Sequence, residues 1–168
     1  MFGGIPKGSE TPAVDLFDDG SEGTGKYPAH HVQDGPSTRF TVYAPKTPPP
    51  ADVKLPVLVY ATCGGAGTSY TNLLTEVASQ GYFVIAAGPP APKMPGFKAG
   101  SLPKMPAFNM SNLPKMPAFD PSRAPSTDVS QMKAAVDWVV AGKASKYGNI
   151  DTSHIATGGL SCGGLSVE

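Results

Sequence analysis

The sequence is poor in charge and in cysteine, and each shortage excludes a class of protein. Of its 168 residues only 15% are charged, and 13 basic and 13 acidic side chains give a formal net charge of zero. A nucleic-acid-binding surface needs excess positive charge to neutralise phosphates, so this composition argues against nucleic acid as a partner. Two cysteines cannot form a disulfide framework or a four-cysteine zinc site.

Long apolar runs are also missing. No stretch of the sequence approaches the roughly 18–20 apolar residues that span a bilayer, so no membrane span is predicted. The first seven residues contain neither a basic region nor an apolar one, so no signal peptide is predicted, which leaves open a cytoplasmic protein or the mature form of a secreted one. No metal-ligand spacing and no cofactor motif is found, so neither a metal nor a cofactor is predicted.

Glycine and proline, by contrast, are abundant, and about half of the prolines lie in one segment. The chain has 20 Gly and 19 Pro, and ten of the prolines fall within residues 89–125. There the pattern Pro-Lys-Met-Pro-x-Phe occurs three times at a period of 11 residues, starting at Pro92, Pro103 and Pro114. Two prolines per repeat exclude a helix and a central strand. An extended loop insertion is predicted, and recognition of the repeats by a partner protein is the alternative.

Outside this insertion the chain alternates strands with helices. Apolar, β-branched runs bounded by Pro or Gly predict buried strands, and apolar residues at i, i+3, i+4 and i+7 predict helices. Such an alternation predicts an α/β fold, a mostly parallel sheet with helices on both faces. In chain order the predicted elements are two antiparallel strands at 27–33 and 39–43, a strand at 56–61, a helix at 69–80, a strand at 82–87, a helix from 126 or 127 to 142, and a strand at 154–158.

The motif that is most informative about function follows the last predicted strand. Gly159-Leu160-Ser161-Cys162-Gly163 matches Gly-x-Ser-x-Gly, in which a serine sits on a tight turn between a strand and a helix. The glycines at 159 and 163 allow the strand and the helix to approach closely, and the helix amides point at the reacting oxygen. A glycine-rich turn without chemistry is the alternative. Because the motif follows a strand and precedes a segment that can begin a helix, Ser161 is predicted as a nucleophile.

A second glycine-rich segment follows the strand at 56–61. Residues 62–67 are Thr-Cys-Gly-Gly-Ala-Gly, and they lack the Gly-Lys-Ser/Thr ending of a phosphate-binding loop. If the strands that end near 61 and 158 are neighbours, the amides of this segment lie beside Ser161 and can stabilise an oxyanion. The predicted oxyanion donors are the amide of Cys162 and one amide from Gly64, Gly65 or Ala66.

Three stretches of the chain, 55–65, 73–86 and 138–164, carry a family resemblance. They include Cys63-Gly-Gly and Gly-Leu-Ser-Cys-Gly-Gly, and they resemble the α/β-hydrolase superfamily, more narrowly fungal-type esterases of the dienelactone hydrolase, chlorophyllase and polyester-hydrolase group. The resemblance implies a serine esterase that hydrolyses carboxylic esters through an acyl-enzyme on Ser161. The implied substrate is a small-molecule or polymer ester.

The catalytic acid and base of such an enzyme are not found at the expected places. The family's triad runs in the order Ser, acid, His, whereas the seven residues after Ser161 contain one acid, Glu168, and no histidine. His154 is expected about 20 Å from the serine hydroxyl, at the other end of its strand. His30 and His31 are expected on the first strand, so none of the three is predicted as a base.

These features together predict the organisation of the chain. We expect a disordered segment at 1–25 and then a partial α/β-hydrolase domain at 26–168, interrupted at 89–125, truncated after the nucleophile and inactive on its own. The last strand is then an exposed apolar edge, which a sheet-completing partner chain would cover. Cys63 and Cys162 are expected at the ends of adjacent strands, as two buried thiols in preference to a disulfide. The alternative function is a non-catalytic α/β chain whose Pro-Lys-Met-Pro repeats bind a partner protein.

Overall fold

The computed structural model of the chain describes residues 20–63, 65–91, 129–160 and 164. The three proline-rich repeats and residues 1–19 lie outside this range. The elements, in chain order, are β1 (Ala29–Asp34), β2 (Phe40–Pro45), β3 (Lys54–Ala61), α1 (Thr71–Ser79), β4 (Phe83–Ala87), α2 (Val129–Val140) and β5 (Asn149–Gly159), with short 3₁₀ helices at Pro36–Thr38 and Ser145–Tyr147.

The five strands form one mixed sheet in the order β1-β2-β4-β3-β5. β3 pairs in parallel with β4 and with β5, whereas the pairs β1–β2 and β2–β4 are antiparallel. The predicted α/β class is confirmed, but the prediction of a mostly parallel sheet is wrong. The reason is that the short connection between β1 and β2 can join only antiparallel strands, and β2 then brings this hairpin onto the free side of β4.

The two helices cover opposite faces of the sheet, as predicted. Connections between parallel strands are right-handed in almost all proteins. The chain passes through α1 to β4 on one side of β3, and then through α2 to β5 on the other side. Two right-handed connections that run in opposite directions place their helices on opposite faces. Accordingly, α1 packs in one apolar cluster with Tyr43 and Val84, and α2 packs in another with Val59 and Phe83.

The strand β5 begins earlier than the sequence predicts. Its pairing with β3 is irregular, because Pro56 lies opposite Asp151 while the next residue, Val57, lies opposite Ile155. Residues 152–154 are therefore extra residues that bulge from the strand. They are polar and exposed, and this polarity interrupts the apolar pattern from which strands are predicted.

Residues 20–28 are held against α1 by hydrogen bonds. The amide and the hydroxyl of Thr24 both donate to the Glu76 carboxylate at 2.7 Å. The amide of Gly25 donates to the Ser79 hydroxyl at 2.9 Å, and the amide of Tyr27 donates to the Ser79 carbonyl at 2.9 Å. This part of the chain, which overlaps the end of the segment predicted as disordered, thus lies along the helix.

A polar cluster joins the end of β1 to the turn before β5. The Tyr147 hydroxyl donates to an Asp34 carboxylate oxygen at 2.5 Å, and the Lys146 ammonium lies 2.6 Å from the same oxygen. Burial alone would raise the pKa of Asp34, but hydrogen bonds from Lys146 and Tyr147 outweigh it and lower that pKa below its ordinary value of 3.8. Burial, followed by the hydrogen bond to Asp34, raises the pKa of Tyr147 above its ordinary value of 10.0.

The variant Tyr147→Phe tests this cluster. Loss of a hydrogen bond to a charged group should lower the free energy of unfolding by about 1.5–3 kcal/mol near neutral pH. The hydrogen bonds that lower the pKa of Asp34 stabilise the fold above pH 3.8, and this stabilisation is lost as the pH falls further. Because the pKa of Tyr147 is raised, its protonated hydroxyl contributes to stability below pH 10.0, and this contribution is lost as the pH rises further.

Urea unfolding measured across this pH range should therefore give the largest difference between wild type and Tyr147→Phe in the middle and a smaller one at both ends. Tyr82→Phe, which changes a tyrosine that is 40% exposed, should leave the unfolding midpoint nearly unchanged. A difference for Tyr147→Phe that does not vary with pH would contradict the assignment.

Candidate functional site

The carboxyl ends of three parallel strands lie side by side. Tyr60 of β3 is opposite Ala86 of β4, and Ala61, the last residue of β3, is opposite Gly159, the last residue of β5. Neighbouring strands are about 4.8 Å apart, so the segments that leave β3 and β5 begin next to each other. In α/β sheets, ligands bind outside the carboxyl ends of the strands where the strand order reverses. Here the order reverses at β3, which makes this edge the candidate site.

The described residues include three of the predicted site residues, Gly65, Ala66 and Gly159. The sequence-based condition, that the strand before the glycine-rich segment and the strand before the nucleophile be neighbours, is confirmed by the pairing of β3 with β5. The roles of all the site residues stay predictions, and four of them lie outside the described part of the chain: Gly64, Ser161, Cys162 and Gly163.

The loop between β3 and α1, residues 62–70 and here called the β3–α1 loop, is bonded through its described residues to the end of β4 and to the segment that follows β4. Three hydrogen bonds make these connections, so the two segments form one structural unit at the edge of the sheet. The bonds run from Thr62 Oγ1 to the Ala87 carbonyl at 2.8 Å, from the Gly67 amide to the Pro89 carbonyl at 2.9 Å, and from the Ala91 amide to Thr68 Oγ1 at 2.9 Å.

Two side chains of β2 donate hydrogen bonds to this unit. Thr41 and Tyr43 are both fully buried, and they are two residues apart, so they point to the same face of the sheet. The Thr41 hydroxyl donates to the Gly88 carbonyl at 3.0 Å. The Tyr43 hydroxyl donates to the Gly67 carbonyl at 2.8 Å and lies 3.2 Å from the hydroxyl of Thr71 at the start of α1.

Sequence analysis did not identify these two residues. The signal that could have found them is a pair of hydroxyl-bearing residues at alternate positions of a predicted strand, because buried hydroxyls almost always have hydrogen-bond partners. Their partners could not be read from the sequence, since they depend on β2 lying next to β4.

Close packing requires glycine at two positions of the unit. A Cβ atom at Gly67 would lie 2.1 Å from Thr41 Oγ1 and 2.3 Å from the Gly88 carbonyl oxygen. Gly88 has a φ of +100°, and a Cβ atom there would lie 2.4 Å from the Gly65 carbonyl oxygen. Both contacts involve backbone atoms, which cannot move aside without displacing the loop.

The variant Gly88→Ala tests this packing. We expect it to lower the free energy of unfolding by about 2–4 kcal/mol, because left-handed strain and a clash with the Gly65 carbonyl add together. Gly142→Ala is the matched control. Gly142 has a φ of +75° and no atom within 4 Å of the added Cβ, so this change should cost only about 1 kcal/mol. Equal losses in urea unfolding of the two variants would contradict a close approach at Gly88.

The loop also offers unused amides. The Gly67 amide is bound by the Pro89 carbonyl, while the amides of Gly65 and Ala66 donate to no acceptor among the described residues. Gly65 is exposed and Ala66 is half-buried. An oxyanion donor must be an N–H group that is not already engaged and that is fixed before the reaction. Gly65 and Ala66 meet the first requirement, and the connections of the loop meet the second.

Cys63 is disulfide-bonded, so the expectation of two free thiols is wrong at this position. The chain contains one other cysteine, Cys162, which lies outside the described residues. A disulfide needs Cα atoms about 4.4–6.8 Å apart, a separation that the ends of neighbouring strands provide. The thiol interpretation followed from the missing signs of secretion, and the adjacency of the two strands was the better guide.

Reduction of the disulfide should destabilise the fold. With Cys162 as the partner it closes a loop of about 100 residues, for which chain entropy gives a stabilisation of about 4–5 kcal/mol. Peptide mapping without reductant should show the Cys63 and Cys162 peptides joined, and urea unfolding with a dithiol reductant should shift to lower midpoints. Cys63→Ser should unfold like the reduced wild type, with or without reductant. Separate peptides in the unreduced map would contradict this pairing.

A serine, a histidine and an aspartate also meet at the β5 bulge, but not as a catalytic triad; Ser153 and His154 belong to the bulge, and Asp151 precedes it. Ser153 Oγ and Asp151 Oδ2 both approach Nδ1 of His154, at 3.1 and 2.8 Å. In a triad the two ring nitrogens serve different partners, the carboxylate at Nδ1 and the serine at Nε2. Hydrogen bonds from Ser153 and His154 lower the pKa of Asp151 to about 2. With a His154 side chain that is 74% exposed, this group is a surface cluster.

The other two histidines lie far from the carboxyl end of β5. His30 and His31 belong to β1, at the opposite edge of the sheet, and four strand spacings amount to about 19 Å. Nδ1 of His30 is buried and has no hydrogen-bond partner among the described residues. The His31 ring packs against the Tyr43 ring with centroids 5.5 Å apart. Neither side chain is therefore near Gly159.

Comparison with known proteins adds no family assignment: no protein-family model and no curated protein matches the chain. Within residues 20–63, 65–91 and 129–160, no three His, Cys, Asp or Glu side chains are grouped as metal ligands. In the same ranges, no helix has the length and apolar character needed to cross a membrane. The candidate site is accordingly defined by the carboxyl edge of the sheet alone.

Proposed function

We propose that the chain has the α/β-hydrolase fold and hydrolyses carboxylic esters with Ser161 as the nucleophile. The observation that supports this most is the register of β3 and β5, in which Ala61 lies opposite Gly159. Gly159 is the first residue of the Gly-x-Ser-x-Gly motif, and Ala61 is followed by the β3–α1 loop. The register therefore brings the start of the motif next to the start of the loop.

This adjacency is what ester hydrolysis on such a sheet requires. In α/β-hydrolases the nucleophile follows a strand, one oxyanion donor is the amide after the nucleophile, and another comes from the loop between the third strand and the first helix. In this chain the corresponding groups are Ser161, the amide of Cys162, and the β3–α1 loop. Gly65 or Ala66 then supplies the second donor.

The proposed reaction has two steps. In the first, Ser161 Oγ attacks the ester carbonyl carbon, the bond to the alcohol oxygen breaks, and the alcohol leaves with the serine proton. In the second, water attacks the acyl-enzyme, which releases the carboxylic acid and regenerates the serine. Each step forms an oxyanion that the two amides stabilise. No cofactor takes part.

Among the described residues, no histidine lies near the carboxyl end of β5 to accept the serine proton. A serine is a poor nucleophile without an adjacent base. The three histidines of the chain lie on the far edge of the sheet or in the exposed bulge, as described above. We therefore expect Ser161 to react only with activated acyl or phosphonyl reagents, and slowly, and we expect the 168-residue chain to turn over esters slowly.

Labelling with a fluorophosphonate tests the proposal. The serine oxygen forms a bond to phosphorus, fluoride leaves, and the proton passes to solvent. Peptide mass spectrometry should locate a single adduct on Ser161, and Ser161→Ala should abolish it. The matched control is Ser153→Ala, which removes the exposed serine beside His154 and should leave labelling unchanged. An adduct on Ser153, or equal labelling of Ser161→Ala, would overturn the proposal.

Hydrolysis of a short p-nitrophenyl ester tests the expected turnover. An early release of about one p-nitrophenol per chain, followed by a slow phase, is the expected result, because acylation then outpaces deacylation. Rapid steady-state hydrolysis that Ser161→Ala removes would support the esterase and contradict the slow turnover. The alternative function, partner binding by the proline-rich repeats, concerns residues outside the described part of the chain and stays a prediction.

A further inference from the structure

We propose that Tyr43 is a positioning residue for ester hydrolysis, because its buried hydroxyl fixes the β3–α1 loop whose amides bind the oxyanion. The inference rests on the proposed function, and it assigns to an interior strand of the sheet a role in the reaction. Tyr43 touches neither the substrate nor the reacting atoms, and it acts through Gly67.

The contact that carries the inference is at the residue next to the predicted donors. Both polar groups of Gly67 are bound: its carbonyl accepts from the Tyr43 hydroxyl at 2.8 Å, and its amide donates to the Pro89 carbonyl at 2.9 Å. The carbonyl of the preceding residue, Ala66, accepts from the amide and the hydroxyl of Ser69 at 3.2 and 2.9 Å. The loop is thus held immediately after the amides that remain unengaged.

The hydroxyl of Tyr43 has a fixed position. The side chain is fully buried, and it packs with Leu74 and Ala78 of α1 and with Val84 of β4 in one apolar cluster. A phenylalanine would fill this space equally well, whereas a buried hydroxyl costs free energy unless it is hydrogen-bonded. The polar end of this residue therefore serves the loop rather than the packing of the core.

A fixed loop matters because oxyanion stabilisation depends on donors that are in place before charge develops. A misplacement of about 1 Å can reduce a rate by about a hundredfold, even when the altered residue is remote from the chemistry. Without the hydrogen bond from the Tyr43 hydroxyl, Gly67 keeps only the hydrogen bond from its amide to the Pro89 carbonyl. Substrate binding, which depends on other surfaces, should change much less than the reaction rate.

The test compares Tyr43→Phe with Tyr147→Phe. Both variants lose one hydrogen-bonded hydroxyl, but Tyr147 packs in the apolar cluster on the other face of the sheet. Fluorophosphonate labelling of Ser161 is followed over a range of reagent concentrations. Tyr43→Phe should lower the limiting rate about 10- to 100-fold and leave the half-saturating concentration nearly unchanged. Tyr147→Phe should change neither quantity.

Amide hydrogen exchange gives a second readout that does not depend on the reaction. The hydrogen-bonded amides of Gly67 and Ser69 should exchange faster in Tyr43→Phe than in wild type and Tyr147→Phe. If Tyr43→Phe does not fold, Thr71→Val is measured in its place. It removes a hydroxyl that donates to the Thr68 carbonyl of the same loop and lies 3.2 Å from the Tyr43 oxygen, so a smaller loss of the limiting rate is expected, and an unchanged rate overturns the anchoring of the loop.

The outcomes separate this inference from the function on which it rests. Equal limiting rates in wild type and Tyr43→Phe, or unchanged exchange at Gly67 and Ser69, overturn the role of Tyr43 and leave the esterase proposal intact. A rate loss of the same size in Tyr147→Phe overturns it too, because the effect would then be one of general stability. Absence of labelling at Ser161 in the wild type overturns both proposals.

Discussion

The parallel pairing of β3 with β5 is the constraint on which the candidate site depends. β3 is buried on both faces, and its side chains alternate between the cluster with α1 and the cluster with α2. A slip of one residue would turn each of these side chains to the opposite face, so the register is fixed by burial. The same register sets Ala61 opposite Gly159. Core packing thus determines which loop begins opposite Gly159, the first residue of the Gly-x-Ser-x-Gly motif.

The antiparallel part of the sheet has a second consequence for the site. The hairpin of β1 and β2 joins the sheet beside β4, which brings Thr41 and Tyr43 beneath the loops that leave β3 and β4. Their hydroxyls bind the carbonyls of Gly88 and Gly67. The strand that interrupts the parallel pattern is therefore the one that ties the apolar core to the loop with the unengaged amides.

The sequence predicts the interior of this fold well and its connections poorly. β3, β4 and α1 were predicted to within about two residues, because burial on both faces or on one stripe produces a strong local pattern. The start of β5 was predicted five residues too late, since the bulge places polar residues at 152–154. The disulfide of Cys63 was missed because the missing signs of secretion were weighed above the expected adjacency of the two cysteines. The hydrogen bonds of Tyr43 were missed because their partners are distant in sequence, which composition and periodicity do not reveal.

Two serines of this chain show why position decides more than composition. Ser153 has a histidine and an aspartate within hydrogen-bond distance, yet the serine and the aspartate both approach the same ring nitrogen of His154. Ser161 has no such neighbours in the sequence, but the register sets Gly159, the first residue of its motif, opposite the last residue of β3, and the loop that follows β3 has unengaged amides. Stabilisation of an oxyanion is usually the largest single contribution to acyl transfer. The proposed ester hydrolysis is therefore assigned to the carboxyl edge of the sheet, although residues 151–154 contain all three residue types of a triad.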